Sequence, residues 1–158
     1  MAAVELHHLS FEVADIERTR WFHERLLKQL GFRRFVAEPE YLGYTDGHVT
    51  LWFLRGRPER VRRHPPTGDE EVIAEHVAFK VGTPADVTRI QEQLERDGVF
   101  AFFRAGEHPE FRPGYFSATF VDPDQIAFEV YSVPSARPRH SSRPARRAPR
   151  RSPSRRKR

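Results

Sequence analysis

Residues 5–15, ELHHLSFEVAD, contain the segment on which the fold assignment depends. Apolar and polar residues alternate along HLSFEV, which is typical of a strand that packs one face against a core and leaves the other face open. Asp15 follows at a position from which its side chain can cap a helix. The two adjacent histidines, His7 and His8, raise the question of whether either one binds a metal ion.

The same pattern occurs a second time in the chain. Residues 7–13, HHLSFEV, align without a gap with residues 75–81, EHVAFKV, and a helix-like segment follows each copy. An internal repeat of this kind predicts two copies of one supersecondary unit. We expect an α+β domain over residues 1–133 with two βαβββ repeats, about 4–55 and 73–132, that form a curved mixed sheet around a concave site.

Each repeat carries start and stop signals for its helix. The candidate N-caps are Asp15 and Thr83, and a glycine follows where each helix should end, at Gly31 and Gly98. The first helix is expected over about residues 16–30. The remaining predicted elements are strands near 32–37, 40–45, 48–55, 99–104, 114–121 and 125–132.

The formal net charge of +5 conceals an uneven distribution. Residues 134–158 contain eleven of the 27 Lys and Arg residues and no Asp or Glu, so the domain itself is net acidic. This tail consists mainly of Arg, Pro and Ser, a composition that predicts disorder. It could bind nucleic acid by neutralising phosphates, but such a charge run is at least as often a solvated terminus. We therefore do not favour a nucleic-acid partner.

The sequence also limits the compartment and the chemistry. It contains no run of 18 apolar residues and no secretory signal, so we expect a cytoplasmic protein without a membrane span. It contains no cysteine, so a transition-metal site must be built from imidazole and carboxylate ligands.

The repeat alignment distinguishes the two histidines of the first strand. His8 aligns with His76, whereas His7 aligns with Glu75. Because neighbouring residues on a strand point to opposite faces, we expect His8 to face the concave side and His7 to face away from it.

A third candidate ligand lies on the last strand, QIAFEVYS. Alternation places Glu129 on the face opposite its two apolar neighbours, where a carboxylate is costly unless it is paired or bound to a metal. Two imidazoles and one carboxylate suit Fe²⁺, Mn²⁺ and related ions, and they leave positions open for a chelating substrate. An ion pair between Glu129 and Lys80 is the alternative.

The duplicated βαβββ order, the segments HHLSFEVADIERTRWFHERLLKQLGF and EHVAFKV, and the closing DPDQIAFEVYS resemble the vicinal oxygen chelate superfamily. This superfamily includes glyoxalase I, fosfomycin-resistance thiol transferases, bleomycin-resistance proteins and extradiol ring-cleaving dioxygenases. The resemblance covers residues 4–133 and implies that His8, His76 and Glu129 bind a divalent metal, with Fe²⁺ favoured and Mn²⁺, Ni²⁺ or Zn²⁺ as alternatives. It also implies a homodimer, since members commonly dimerise and some build each site from repeats of two subunits.

Departures from the family patterns limit what the resemblance implies about the reaction. Glyoxalase I enzymes carry a second glutamate on the last strand of the first repeat, where this chain aligns Thr50. Extradiol dioxygenases carry a tyrosine shortly before the last glutamate, where this chain aligns Thr119, and Tyr115 is the nearest substitute.

We expect a metal-dependent enzyme that acts on a small molecule with neighbouring oxygens, as a ring-cleaving dioxygenase or as a glyoxalase-like lyase or isomerase. The alternative is a metal-free binding protein of the bleomycin-resistance kind that sequesters an aromatic compound.

Four further residues complete the predicted site. His48 and Tyr115 are the candidate catalytic residues for proton transfer, and His64 is an alternative to His48. Thr50 and Trp52 share a strand face with His48 and are the candidate substrate contacts. Trp52 would form a wall for an aromatic or apolar substrate, and core packing is the competing interpretation for its ring.

Overall fold

The computed structural model describes residues 3–57 and 76–134, and within these ranges the expected strand–helix–strand–strand–strand order occurs twice. The linker between the repeats, with His64, and the basic tail lie outside the described residues. The first repeat contains β1 (His8–Val13), α1 (Ile16–Gln29), β2 (Arg33–Glu38), β3 (Tyr41–Thr45) and β4 (Thr50–Arg55). The second contains β5 (His76–Lys80), α2 (Pro84–Arg96), β6 (Phe103–Glu107), β7 (Phe116–Val121) and β8 (Ala127–Ser132).

Each repeat forms one four-stranded mixed sheet. The strand orders are β1-β4-β3-β2 and β5-β8-β7-β6, so the two sheets have the same topology. In each sheet the first strand pairs in parallel with the last, and the other pairings are antiparallel. The predicted α+β fold with two βαβββ repeats is therefore confirmed.

The helix boundaries follow the expected signals. The Asp15 carboxylate accepts hydrogen bonds from the backbone N–H groups of Glu17 and Arg18, and Thr83 forms a capping box with Asp86. These contacts satisfy donors that have no partner within a helix. After each helix a glycine adopts the left-handed backbone that ends it, with φ of 84° at both positions. Neither of the two described helices is long and apolar enough to cross a membrane.

The predicted strand near 99–104 is shifted in the structure, where β6 begins at Phe103. Val99 is buried, and its N–H donates to the carbonyl of Leu94, so this residue still belongs to the end of α2. Phe100 is exposed, and the first contact with β7 is made by the N–H of Phe102. The sequence predicted a strand here because the apolar residues that follow the helix were interpreted as the beginning of a strand.

The two repeats share one hydrophobic core. Phe11 of β1 contacts Phe128 of β8 with ring centroids 6.0 Å apart, and the His23 ring of α1 lies between Phe53 and Phe128 at 4.0 and 4.8 Å. A fully buried side chain of this size contributes about 2 kcal/mol relative to an exposed one. The packed faces of the two sheets thus turn towards a common interior, and their opposite faces turn away from it.

A buried polar joint connects α1 to the turn before β8. His23 donates from Nε2 to Oδ2 of Asp122 at 3.1 Å, and both side chains are fully buried. The other oxygen of Asp122 accepts the backbone N–H groups of Asp124 and Ile126 at 2.9 and 2.8 Å. Gln125 completes this turn with a φ of 65°, which is uncommon for a residue other than glycine. The DPD sequence therefore determines where β8 begins.

Asp124 makes a second connection between the repeats. One oxygen of its carboxylate accepts the N–H of Ala14 at 2.9 Å, and the other accepts the hydroxyl of Thr19 at 3.3 Å. The link holds the corner between β1 and α1 against the turn of the second repeat. The DP turn, which contributed to the family resemblance, is thus a structural clamp in this chain.

Burial lowers the pKa of His23, although the nearby carboxylates of Asp122 and Asp124 favour its charged form. Its Nδ1 atom is buried without a hydrogen-bond partner and is surrounded by aromatic rings, so a proton there would have no acceptor. His23 is therefore a neutral donor to Asp122 and a structural residue of the core.

Substitution of Asp122 by Ala should destabilise the fold severely. It would leave the His23 N–H and two backbone N–H groups without their acceptor, and we expect a loss of about 3 kcal/mol or more in the free energy of unfolding. Denaturant unfolding followed by circular dichroism measures this loss. The matched control is Asp15→Ala at the exposed N-cap of α1, which should cost about 1 kcal/mol. Equal losses for the two variants would contradict the structural role of the buried joint between His23 and Asp122.

Candidate functional site

Three predicted site residues come together on the open face of the second sheet. His76 Nε2 lies 3.3 Å from Oε2 of Glu129, and the hydroxyl of Tyr115 donates to the same oxygen at 2.9 Å. Glu129 is 7% exposed, and its register neighbours are Ala78 on β5 and Thr119 on β7. Glu129 thus pairs with His76 and not with Lys80, which the sequence offered as the alternative partner.

The spacing of these donors fits a metal ion. Two ligands about 2.1 Å from one ion and at right angles to each other lie about 3 Å apart, close to the 3.3 Å between His76 and Glu129. Imidazole and carboxylate together suit Fe²⁺, Mn²⁺, Ni²⁺ and Zn²⁺. The His76 side chain is 31% exposed, so this pair is accessible from outside the chain.

Tyr115 is fixed by aromatic neighbours. Its ring stacks on Tyr131 with centroids 5.1 Å apart and planes at 7°, and Phe111 and His108 approach it edge-on at 5.6 and 6.5 Å. Burial raises the pKa of the Tyr115 hydroxyl, and its hydrogen bond to Glu129 raises that pKa further. Tyr115 therefore keeps its proton and acts as a hydrogen-bond donor to the carboxylate. Sequence analysis did not identify Tyr131, because a tyrosine two residues after the glutamate has no distinctive pattern.

The predicted third ligand lies on the other sheet. His8 is exposed at the start of β1, opposite Thr50 of β4, and its Nδ1 is 2.9 Å from Nδ1 of His7. Within residues 3–57 and 76–134 of one chain, no group of three or more His, Cys, Asp and Glu side chains is placed to hold a metal ion. A single chain therefore brings together His76 and Glu129 but does not add His8 to them.

The strand registers correct one alignment made from the sequence. In the second repeat, Glu129 lies opposite Ala78, two residues after the histidine; in the first repeat, the residue opposite Ser10 is Trp52. The structural equivalent of Glu129 is therefore Trp52, not Thr50. One repeat presents a carboxylate at this position and the other presents an indole ring.

Trp52 belongs to an aromatic wall on the open face of the first sheet, formed with Phe35 and Tyr41. Phe35 packs edge-on against Trp52 at 5.2 Å, and Tyr41 lies 6.3 Å from it. Phe35 and Tyr41 are 47% and 38% exposed, so the wall is open to a ligand. The ring of Trp52 thus lies on the open face of the sheet, opposite the buried side chains of Leu51 and Phe53, and does not pack in the shared core.

Gly43 leaves the room that the Phe35 ring of this wall occupies. A Cβ atom at Gly43 would come within 2.6 Å of the Phe35 ring, and the β2–β3 register shifts between Arg34 and Val36 at the same place. A bulge of this kind places two consecutive residues of β2 against one residue of its partner and redirects the side chain of Phe35. A bulge leaves no clear signal in the sequence, so Phe35 was not among the predicted residues.

His48 lies at a different place from the one predicted. It was expected on the strand with Thr50, but β4 begins at Thr50 and His48 is exposed in the preceding turn. The Asp46 carboxylate accepts the backbone N–H groups of His48 and Val49 at 2.8 Å, and this Asx-type turn delays the strand. A catalytic role for His48 stays a prediction.

Two pseudo-symmetric βαβββ repeats, with a histidine and a glutamate on an open sheet face, are the features that the resemblance to the vicinal oxygen chelate superfamily led us to expect. The sequence matches the profile of the Glyoxalase/Bleomycin resistance protein/Dioxygenase superfamily over residues 5–130. The chain belongs to this superfamily.

Individual relatives are distant. The uncharacterized protein YqjT of Bacillus subtilis is 24% identical over 126 residues, which cover 79% of this chain and 96% of YqjT. The structure of lactoylglutathione lyase from Agrobacterium tumefaciens superposes with a TM-score of 0.60 at 14% identity and covers 84% of this chain and 96% of that protein. The fosfomycin resistance protein FosX from Mesorhizobium loti superposes with a TM-score of 0.57 at 21% identity, covering 84% and 93%. At these identities the likeness shows the fold.

Substitution of Gly43 by Ala should displace Phe35 from Trp52. The change crowds the ring of Phe35, so we expect a loss of about 1–3 kcal/mol in stability and a more exposed Trp52. A Trp21→Phe background leaves Trp52 as the one tryptophan, and its emission maximum and acrylamide quenching report the exposure. The control is Gly106→Ala, where the nearest atom to the new Cβ is 3.7 Å away. Unchanged quenching in Gly43→Ala would contradict the role of the glycine.

Proposed function

We propose that the protein is a divalent-metal-dependent enzyme that acts on a small molecule with two neighbouring oxygens and an apolar or aromatic body. The observation that carries the proposal is the convergence of His76 and Glu129 at 3.3 Å, with the Tyr115 hydroxyl on the same carboxylate. A buried carboxylate is costly, and its placement beside an exposed imidazole serves a ligand site better than it serves packing.

The proposed metal ligands are His8, His76 and Glu129, with Fe²⁺ as the favoured ion and Mn²⁺, Ni²⁺ or Zn²⁺ as alternatives. When bound, the metal would supply Lewis acidity and open coordination positions for the two substrate oxygens. Tyr115 holds the carboxylate in one orientation through its hydrogen bond. Because the pKa of this hydroxyl is raised, Tyr115 is better suited to donate a hydrogen bond than to transfer a proton. His48 is the better candidate for proton transfer.

We propose that the site is completed in a homodimer. The packed faces of the two sheets turn towards one core, so the faces that carry His8 and Glu129 turn away from it in a single chain. In the described sheets, β1 and β5 are outer strands with one neighbour each. A second copy that sets its β1 beside β5 would bring the partner's His8 towards His76 and would give the isologous contact of a two-fold dimer.

The same arrangement would place the aromatic wall opposite His76 and Glu129. Trp52 occupies the position in the first repeat that Glu129 occupies in the second. In a site built from a first repeat and a second repeat, the second would supply two metal ligands, and the first would supply His8 together with the aromatic side chains that contact the body of the substrate. Thr50, opposite His8 on the same face, would lie between these two parts.

The absence of a second acid at the Trp52 position departs from the glyoxalase I pattern and favours a ring-cleaving dioxygenase over a glyoxalase-like lyase or isomerase. Oxygen consumption with catechols distinguishes the two reactions once the metal is known.

A metal-free binding protein that sequesters an aromatic compound is the second candidate. The observation that favours it is the exposed wall of Phe35, Tyr41 and Trp52, which needs no metal to bind a ring.

Metal titration tests the leading proposal. Protein purified without chelator should bind about one Fe²⁺, Ni²⁺ or Co²⁺ per chain, and Glu129→Gln should weaken binding by at least about 100-fold, since it removes a charged ligand. A matched control is Glu107→Gln, at an exposed strand end away from the pair. Absence of stoichiometric uptake by the wild type would exclude the metal site. Tight binding of an aromatic probe that is unchanged in Glu129→Gln would then support the binding protein.

Mixing two defective variants tests the shared site. His8→Ala and Glu129→Gln homodimers should each lack an intact site, but a heterodimer contains one site with all three ligands. Statistical mixing makes half of the dimers heterodimers, so about a quarter of the wild-type metal capacity should return after the chains are unfolded and refolded together. No recovery in mixtures shown to contain heterodimers would place all ligands in one chain.

A further inference from the structure

We propose that His7 is a positioning residue for His8: it accepts a hydrogen bond from Nδ1 of His8 and so presents Nε2 of His8 to the metal. This inference rests on the proposed metal site and adds to it a residue outside the three ligands. It also changes the expectation from the sequence that His7 faces away and takes no part.

The contact between the two imidazoles is short and specific in geometry. Their Nδ1 atoms lie 2.9 Å apart, and the rings are perpendicular, with centroids 5.2 Å apart. Two imidazole nitrogens at this distance form a hydrogen bond only when one carries a proton and the other offers its lone pair. The pair therefore contains one Nδ1–H donor and one neutral Nδ1 acceptor.

The backbone explains why neighbouring residues can meet. The alternation of faces applies within a ladder, and β1 begins at His8, so His7 lies just before the regular strand. The carbonyl of His7 accepts the N–H of Thr50 at 2.9 Å, which ties its backbone to β4. The main chain at His7 is thus fixed, while its side chain can turn to the side of His8.

The chemistry of a metal-binding imidazole assigns the direction of the hydrogen bond. A histidine that binds a metal through one nitrogen usually donates the other N–H to an acceptor, and this contact fixes its tautomer and its orientation. Donation from Nδ1 of His8 to His7 leaves the lone pair of Nε2 for the metal. His76 likewise directs Nε2 towards Glu129, so both ligands would use the same nitrogen.

The sequence of the second repeat is consistent with this arrangement. Glu75, which precedes His76 and aligns with His7, also has an acceptor side chain, although it lies outside the described residues. Each candidate histidine ligand is therefore preceded by a residue that can accept a hydrogen bond. Within residues 3–57, the ring of His8 makes its hydrogen bond with His7.

The test compares His7→Phe with His7→Asn in the full chain. Phe keeps a ring but has no acceptor, whereas the amide oxygen of Asn lies close to the place of the histidine Nδ1 and can accept. With Co²⁺ alone as the probe, His7→Phe should raise the dissociation constant by about 10- to 100-fold, as loss of such an outer partner does in other metal sites. His7→Asn should restore the constant to within about threefold of wild type, because it restores the acceptor.

Two controls make the result specific. His140→Phe removes a histidine from the basic tail and should leave the Co²⁺ affinity unchanged, which accounts for adventitious binding by surface histidines. X-ray absorption of bound Co²⁺ counts the imidazole ligands, and this count should be the same in wild type and His7→Phe. Circular dichroism and the oligomeric state confirm that each variant is folded.

The following results would overturn the inference. A Co²⁺ affinity of His7→Phe equal to wild type would show that His7 does not orient the ligand. Loss of one imidazole from the metal in His7→Phe would make His7 a ligand and not a positioning residue. If the wild type itself takes up no Co²⁺, the positioning role and the proposed function both fail; if uptake depends on His8 but not on His7, the positioning role alone fails.

Discussion

The buried hydrogen bond between His23 and Asp122 is the contact on which the rest of the structure depends. It joins the helix of the first repeat to the turn that starts β8 in the second repeat, and the same carboxylate accepts the N–H groups that shape this turn. Because β8 begins at Ala127, a shift of one residue in the turn would move Glu129 to the opposite face of the sheet. The position of the candidate metal ligand is therefore set by a polar contact within the core.

The joint also accounts for the direction in which the two sheets face. His23 lies between Phe53 of one sheet and Phe128 of the other, so the repeats pack through their apolar faces and share one interior. Each sheet is left with an open face, one with His8 and the aromatic wall and the other with His76 and Glu129. The proposed homodimer would bring these two faces together.

Much of this arrangement could be predicted from the sequence because local patterns determine it. Alternation identified β1 and β5, the helix caps were correct at Asp15 and Thr83, and Glu129 lies on the face that its apolar neighbours predicted. The features that were missed depend on contacts distant in the sequence or on irregular backbone. There are three such features: the bulge that places Phe35 on Gly43, the turn that moves His48 off its strand, and the register that makes Trp52 equivalent to Glu129.

The two repeats differ at one structurally equivalent position on their open faces. Two identical repeats would present the same side chains to both sides of a site, but here an indole ring replaces the carboxylate at the equivalent position. The carboxylate of Glu129 is already held in one orientation, because the Tyr115 hydroxyl and His76 Nε2 both contact its Oε2 atom. These contacts offset part of the free-energy cost of burying the carboxylate. A metal that binds between His76 and Glu129 would replace their direct contact and leave the Tyr115 hydrogen bond in place. In the proposed site little rearrangement would be needed to bind an ion, and the aromatic wall of the other chain would be available for the apolar part of a substrate.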